Sequence, residues 1–468
     1  MCASTGQGSG VGATGSGLVS GFSLAVALLV GGSAPVVFAA DESMLLDKPP
    51  AESVEEDTGP LDHYFEELPP GEPAPDSRVR RALENLPAFF RDTKLGVDFR
   101  TYYFRRRFAD DRDAEALAMG GALSYRSGWL LDRLQLGATL FTSQKLYGPS
   151  SRDGTGLLRS GQKSYTVVGE SFVRLRESGH ELTLYRHRLE LPYVNSNDSR
   201  MTPNTFEGIT LIGRHPLVSY SAGHLLELKR RNDDHFVSFS EVAGVPGASS
   251  NGLSFAGVQI KPFENLSLGA VNYFVKDTLN IAYTQVEWFH GDRDGWGLLL
   301  GSQFTHQRSV GDDRLTGGSF KTWVWDAKVA ASWMQAVVSV AVSITDDEEG
   351  VRNPWGSYPG YLGMMQRNFN DADEKAWGVS ASWHFDRVGV PDLSIALRYS
   401  EGYGGRDSQS DTKLGDHREF NGTLDYRLSS GPLRGLWLRG RFAWGHLERA
   451  RRDSLEGRVV LRYEFQLL

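Results

Sequence analysis

The sequence predicts an all-β fold: a transmembrane antiparallel β-barrel of about 18 strands, with long extracellular loops that fold inward and constrict the pore. Three observations predict it. Apolar and polar residues alternate from Lys94 onward, short turns alternate with long polar loops, and the last strand is long enough to cross a bilayer. Roughly 375 residues, at about 20 per strand and connection, give the strand count. A barrel this wide has a lumen that side chains alone cannot fill.

The composition excludes several other classes of protein. Only 40% of the 468 residues are hydrophobic, too few for a helical membrane protein but suitable for a barrel whose strands have polar lumen faces. The formal net charge of −8 argues against a nucleic-acid partner. The single cysteine, Cys2, leaves the rest of the chain without thiols for disulfides, metal ligation or catalysis.

Residues 1–40 are predicted to be a secretory signal peptide. Leu18 to Ala40 form an apolar run that ends in small residues, with cleavage expected after Ala39 or Ala40. The basic residues that usually precede such a run are absent, since the first is Lys48. A transmembrane anchor is the alternative, although glycines interrupt the run and no stop-transfer charges follow it.

Residues 41–90 are predicted to be an acidic, Pro-rich periplasmic extension that is mostly disordered, because they have too few apolar residues to fold alone. Within it, Asp76 to Phe90 predict a short helix capped by Asp76, whose apolar stripe comprises Val79, Ala82, Leu83 and Leu86. The outer-membrane barrel is expected to occupy residues 91–468.

The final strand shows the two-faced pattern most clearly. Alternation predicts that one set of its side chains faces lipid, namely Val459, Leu461, Tyr463, Phe465 and Leu467. The other set should line water, namely Arg458, Arg462, Glu464 and Gln466. We expect this strand to pair with the one that begins near Leu95 and so close the pore. Tryptophans and tyrosines that flank the apolar runs predict interfacial girdles.

Three stretches carry a resemblance to a known family. They are AFFRDTKLGVDFRTYYFRRRF (Ala88 to Phe108), LPYVNSNDSRMTPNTFEG (Leu191 to Gly208) and NPWGSYPGYLGMMQRNFNDADEKAWGVSASWHF (Asn353 to Phe385). They resemble the first strand, the inward-folding loop, and a late loop and strand of the OprD-type substrate-specific outer-membrane porins. Order and spacing fit over roughly residues 88 to 468, although Leu468 stands where such barrels commonly end in an aromatic residue.

The resemblance implies a monomeric 18-stranded barrel in the outer membrane of a Gram-negative bacterium, through which small solutes pass without energy input. It also implies inner-wall arginines that guide carboxylates. The partners expected are small anionic or zwitterionic solutes, outer-membrane lipid and lipopolysaccharide. No cofactor and no metal are expected.

An inward arginine suits this task, because a guanidinium stays charged and its fork of donors matches a carboxylate. The matched motifs and strand parity give the candidate pore-lining residues Arg100, Arg200, Arg230, Arg398, Arg439 and Arg441. Each could instead lie at the rim, hold a loop by pairing with an aspartate, or reach lipopolysaccharide phosphate. Arg105, Arg106 and Arg107 are consecutive, so they cannot all face inward. Asp198 is the candidate acidic residue of the path, with a structural Asx turn as the alternative.

The function expected is substrate-selective uptake of small carboxylates or amino acids. Two alternatives remain open: a channel of the same fold for chito-oligosaccharides or other sugars, and a barrel hydrolase. Enzymatic motifs are absent from the sequence. His180-Glu181 lacks the second histidine of a zinc motif, because Leu184 occupies its place. The acidic run Asn370 to Glu374 is more typical of a solvated turn than of a divalent-cation site.

Overall fold

A computed structural model describes residues 78–110, 112–245, 250–291, 295–316, 318–407, 412–448 and 452–468. In these residues, a closed antiparallel barrel of 18 strands surrounds a central lumen. Each barrel strand pairs with the next along the chain, and the last pairs with the first. The predicted fold class and strand number are confirmed. The predicted signal peptide and most of the predicted extension lie outside the described residues.

The strands, in chain order, are β1 Lys94–Arg107, β2 Asp113–Arg126, β3 Leu134–Tyr147, β4 Tyr165–Glu177, β5 His180–His187, β6 Glu190–Leu191, β7 Val194–Asn195, β8 Thr205–Arg214, β9 Val218–Lys229, β10 Phe236–Ser238, β11 Leu253–Phe263, β12 Leu266–Val275, β13 Leu279–Gly291, β14 Trp296–Arg308, β15 Lys321–Trp333, β16 Ala336–Thr345, β17 Lys375–His384, β18 Leu393–Tyr403, β19 Arg406–Asp407, β20 Thr412–Lys413, β21 His417–Arg427, β22 Leu436–Leu447 and β23 Arg452–Gln466. Strands β6 and β7 pair with each other, as do β19 and β20, and β10 adds to β9. The remaining strands form the barrel wall.

The helical segments are short. They are α1 Arg78–Leu83, α2 Ala88–Arg91 and α3 Phe239–Ala243, with 3₁₀ turns at Ser150–Arg152 and Asp386–Val388. No helix among the described residues combines the length and the apolar character needed to cross a bilayer.

The single helix predicted over Asp76 to Phe90 is present as two pieces, α1 and α2. The chain between them leads to Pro87, the N-cap of α2, and a residue before proline avoids the α region. Val79 and Leu86 of the predicted apolar stripe are exposed. The stripe therefore does not hold one continuous helix against the barrel, and the predicted cap, Asp76, lies outside the described residues.

The two ends of the barrel differ as predicted. At one end the connections are tight, such as the two-residue turn between β4 and β5, and the chain also ends there. At the other end the connections between barrel strands include residues 148–164, 188–204, 230–252 and 346–374. In outer-membrane barrels the short turns are periplasmic and the long loops extracellular.

Alternation gives each strand one outward and one inward face. In β16, Val338 and Val340 are exposed on the outside, whereas Ser339 and Ala341 are buried inside. In β23, Val459 is exposed and Arg458 is 4% exposed, which agrees with the predicted faces. Residue pairs such as Gly96 with Gln466 close the ring between β1 and β23.

One glycine lets the first two strands pair. Gly121 of β2 has φ +127°, and a Cβ there would lie 1.8 Å from the carbonyl oxygen of Asp98 in β1. Only glycine adopts this backbone without strain and leaves room for the neighbouring strand.

Candidate functional site

The loop of residues 188–204, here the first loop, folds into the lumen. Its hairpin of β6 and β7 turns at Tyr193, which has φ +65° and is fully buried. The Tyr193 hydroxyl donates to Thr305 Oγ1 on β14 at 2.9 Å, and the Tyr273 hydroxyl of β12 donates to the Pro192 carbonyl. The loop is therefore fixed inside the lumen to β12 and β14, which are not its neighbours in the barrel wall, as the resemblance over Leu191 to Gly208 implied.

The loop of residues 346–374, here the second loop, also crosses the lumen. Its Trp355 is fully buried, and Trp355 Nε1 donates to the Phe239 carbonyl at 3.0 Å. Further along, Gln366 N donates to Glu419 Oε1 of β21 at 2.9 Å. Sequence reasoning matched this segment to the family but did not predict that it narrows the pore. Aromatic residues in a Gly- and Pro-rich loop were the available signal.

The two loops touch at Asn195. Its Oδ1 accepts from Ser357 N at 2.9 Å and from Ser357 Oγ at 3.0 Å. The same oxygen accepts from Asn197 N at 3.2 Å, which forms an Asx turn. The Asx turn of this segment is therefore made by Asn195, whereas the Asp198 carboxylate binds Arg100. Together the loops form the constriction of the lumen.

Arg100 and Asp198 join the first loop to β1. Arg100 Nη1 and Nη2 donate to the two oxygens of Asp198 at 2.8 and 3.0 Å, and Nη1 also donates to the Arg200 carbonyl. Both side chains are nearly buried. Burial raises the pKa of Asp198, but the charge and hydrogen bonds of Arg100 outweigh it and hold that pKa well below its usual range. This pair anchors the loop.

Further ion pairs connect Arg100 to β23, the strand that closes the barrel by pairing with β1. Arg100 Nη2 contacts Asp98 Oδ2 at 3.2 Å, and Arg462 of β23 binds the same carboxylate with Nε at 2.9 Å and Nη2 at 3.0 Å. Arg462 also pairs with Glu464. The polar face predicted for the closing strand thus makes ion pairs with the first strand.

Arg200 lies on the first loop and is half-buried. Its Nε donates to the Thr155 carbonyl and its Nη1 to the Ser199 carbonyl, both at 2.8 Å, and its guanidinium lies 5.0 Å from the Phe104 ring. No carboxylate among the described residues makes an ion pair with it. Burial and nearby arginine charges, first that of Arg231, lower the pKa of Arg200 to about 9.

Arg231, which the sequence-based candidates omitted, lies beside Arg200. Arg231 Nη1 donates to Asn197 Oδ1 at 2.7 Å and also binds Ser199 Oγ. Burial and the charge of Arg458 lower the pKa of Arg231 to about 10. The only sequence signal for Arg231 was its position directly after Arg230. That position did not show which of the two arginines faces the lumen.

On β22 the two candidates differ. Arg439 is paired with Asp425, through Nε at 2.6 Å and Nη2 at 3.1 Å, and stacks on Trp437. Arg441 lies directly opposite Arg458 of β23, and within the described ranges its side chain has no hydrogen bond or ion pair. Like charges in direct register are unfavourable. Arg458 is partly compensated by Glu456. We name Arg200, Arg231, Arg441 and Arg458 the basic cluster.

The remaining candidates lie apart from the basic cluster. Arg398 of β18 donates from Nη2 to the Tyr361 carbonyl at 3.1 Å and so supports the second loop. Arg230 follows β9 and is exposed. Among the consecutive arginines, Arg106 lies on the inward parity of β1, 3.6 Å from Glu456, whereas Arg105 and Arg107 are exposed on the other parity.

Comparison with known proteins gives a consistent result. A family described as outer membrane porin, OprD family, matches residues 87–467. Porin D of Pseudomonas aeruginosa is 23% identical over 419 residues, which cover 81% of this chain and 92% of that protein.

Two solved structures have the same fold. P. aeruginosa OccK9 (OpdG) superposes with a TM-score of 0.74 at 26% identity, over 81% of this chain and 100% of that chain. P. aeruginosa OpdK, crystallised with vanillate, superposes with a TM-score of 0.71 at 24% identity, over the same shares of the two chains.

Proposed function

The chain belongs to the OprD family of outer-membrane porins, which are channels and not enzymes, and we propose that it passes small carboxylates through its constriction under guidance of the basic cluster. The family places it in the outer membrane of a Gram-negative bacterium. Passage is passive, because a porin couples to no energy source.

The Arg441 guanidinium, which has no hydrogen bond or ion pair with any described residue, is the observation that carries this proposal. It lies opposite a second arginine, Arg458, on the inward face of the barrel. Glu456 pairs with Arg458, but no carboxylate among the described residues pairs with Arg441, so an entering carboxylate gains charge-assisted hydrogen bonds at Arg441. Because the site is one of several weak ones along a wet path, release remains possible.

The position of Asp198, the acidic residue predicted for the path, supports carboxylates rather than amino acids as the solutes. Both oxygens of Asp198 are held by Arg100, so they are committed to anchoring the first loop. Asp198 therefore offers little to the ammonium group of an amino acid. We propose that Arg100 and Asp198 act on the path through the loop that they hold, whereas the basic cluster contacts the solute.

A sugar channel is supported less well. Such a path needs exposed aromatic faces along the lumen, but the inward aromatics Tyr193, Tyr273, Tyr283 and Trp355 are buried in packing between the loops and the wall. By contrast, Arg200, Arg231 and Arg441 of the basic cluster are only half-buried, and Arg458 is buried. The OpdK structure with vanillate, at 24% identity, is similar in fold alone and does not decide the solute.

The test is a matched pair of Arg→Gln variants in liposomes and planar bilayers. Arg441→Gln removes a cluster charge, and Arg105→Gln removes an exposed one on the outer face. We expect Arg441→Gln to slow benzoate flux about tenfold, the equivalent of one charge-assisted hydrogen bond, and to shift the reversal potential in a KCl gradient toward cations. Arg105→Gln should leave both unchanged. Equal benzoate flux in Arg441→Gln and wild type, or faster flux of a neutral sugar than of benzoate in wild type, would overturn the proposal.

We also propose that the barrel functions as a monomer in contact with lipid and lipopolysaccharide. A closed sheet has no free edge to pair with another chain, and its outer face carries exposed apolar residues such as Val338 and Trp333. The mass of the detergent-extracted particle, by light scattering with the detergent contribution subtracted, distinguishes one chain from three.

A further inference from the structure

Three metal-ligating side chains meet where the second loop joins the barrel wall. Asp371 and Glu374 lie at the end of that loop, just before β17, and His417 is the first residue of β21. One ligand atom from each lies within 4.8 Å of the other two. The side chains of Glu374 and His417 are 0% and 1% exposed.

Three polar atoms of these two buried side chains lack the hydrogen bonds that burial normally requires. His417 Nε2 lies 2.8 Å from Glu374 Oε1, but the two are not aligned as donor and acceptor. In the described part of the chain, neither ring nitrogen of His417 nor Glu374 Oε1 has a hydrogen-bond partner. Leaving such groups unsatisfied in a buried site is unfavourable. An ion bound between them would satisfy both.

We propose that Asp371, Glu374 and His417 bind a divalent transition-metal ion of the Zn²⁺ class. Imidazole nitrogen and carboxylate oxygen are both Zn²⁺ ligands, and three protein ligands leave a fourth position for water. Ligands about 2.1 Å from a tetrahedral ion lie about 3.4 Å apart, so a small outward movement of His417 and Glu374 admits it. Asp371 also pairs with Arg367 at 3.4 Å, so His417 and Glu374 carry most of the site.

The surroundings hold the two main ligands in place. Glu374 Oε2 accepts from Asp371 N at 2.9 Å, and the Phe369 ring stacks on the His417 ring with centroids 5.0 Å apart. Gly402 of β18 leaves room for the carboxylate, because a Cβ there would lie 2.0 Å from Glu374 Oε1. Such supporting contacts are what orient ligands in metal sites.

A second group of possible ligands serves as a control. Asp233, Asp234 and His235 also approach one another, but His235 is 65% exposed on its side chain and Asp234 pairs with Arg159 at 2.8 Å. The His235 ring is thus open to solvent, and Arg159 compensates the charge of Asp234. We expect no tight metal binding there.

The consequence for the channel is structural. The ion would fix the end of the second loop to β21, next to the contact between Gln366 and Glu419. The site lies at the root of the constriction and includes no residue of the basic cluster, so metal binding and solute selectivity can be tested separately.

The experiment is calorimetric titration of Zn²⁺ into the full chain, purified in detergent and stripped with EDTA. We expect one ion per chain with a Kd of about 1 μM or lower. His417→Gln should weaken binding about 100-fold and His235→Gln should leave it unchanged. Gly402→Ala keeps all three ligands but displaces the Glu374 carboxylate, so it should weaken binding about tenfold.

Several outcomes overturn the proposal. Wild-type protein that binds no Zn²⁺ at about 1 mM would show that Glu374 and His417 form an ion pair only. Binding that survives His417→Gln, or is lost in His235→Gln, would place the ion elsewhere. If His417→Gln fails to fold, as judged by heat-modifiable migration, the Gly402→Ala titration decides: unchanged affinity there contradicts the site.

Discussion

Replacing Arg100 by alanine should release the first loop from the barrel wall. Arg100 makes two charge-assisted hydrogen bonds to Asp198 and one contact to Asp98, and Arg462 continues to hold Asp98 after the change. The variant therefore leaves Asp198 as the buried charge without its partner. We therefore expect the first loop to detach from the barrel wall, whereas the barrel itself should remain folded.

The magnitude follows from the burial of the pair. The side chains of Arg100 and Asp198 are 5% and 11% exposed, so water and salt screen them little. Removing one member of a buried ion pair costs about 3–5 kcal/mol. A loss of about 3 kcal/mol lowers the ratio of docked to undocked loop by roughly 100-fold.

Single-channel recording in planar bilayers measures this directly. We expect Arg100→Ala to give larger unitary conductance and more open-channel noise than wild type, because the first loop no longer narrows the lumen steadily. The double variant Arg100→Met with Asp198→Leu should recover part of the wild-type behaviour, since it removes both charges together. Arg105→Ala, on an exposed and weakly paired arginine, is the control.

One result would refute this reasoning. If Arg100→Ala folds and shows the conductance and noise of wild type, the ion pair does not hold the first loop. A double variant that is more disturbed than either single variant would contradict the electrostatic explanation.

Three further changes test the packing and the faces of the strands. Val459→Arg should lower the free energy of unfolding in lipid by about 2–4 kcal/mol, because a charge would then face hydrocarbon. An unchanged denaturant midpoint would contradict the assignment of Val459 to the outer face. Gly121→Ala should impair barrel assembly, since its Cβ would meet the Asp98 carbonyl, and normal yield of heat-modifiable barrel would count against that close approach. Trp355→Ala should lower the free energy of unfolding by about 3–5 kcal/mol and lower the thermal midpoint, because a buried ring that packs on Phe239 is lost. A thermal midpoint equal to that of wild type would argue against the burial of Trp355.

The sequence predicted the family, the barrel, its strand number and the side of the wall on which a residue of the closing strand lies. These properties depend on local alternation, which repeats in strand after strand and which lipid and water both reinforce. The resemblance over Leu191 to Gly208 also located the first loop. By contrast, the helix over Asp76 to Phe90 was predicted from a capping residue and an apolar stripe, and the helical segment is broken before Pro87.

Strand parity could not tell which inward arginines remain unpaired. Arg100 and Asp198 are 98 residues apart, and Asp98 and Arg462 are 364 apart, so their pairing depends on how the loops fold and how the ring closes. The same holds for Arg441, whose opposition to Arg458 follows from the register between β22 and β23. Only the tertiary structure decided which charges are compensated within the protein and which remain for a solute. The reason is that electrostatic partners are set by distance in space and not along the chain.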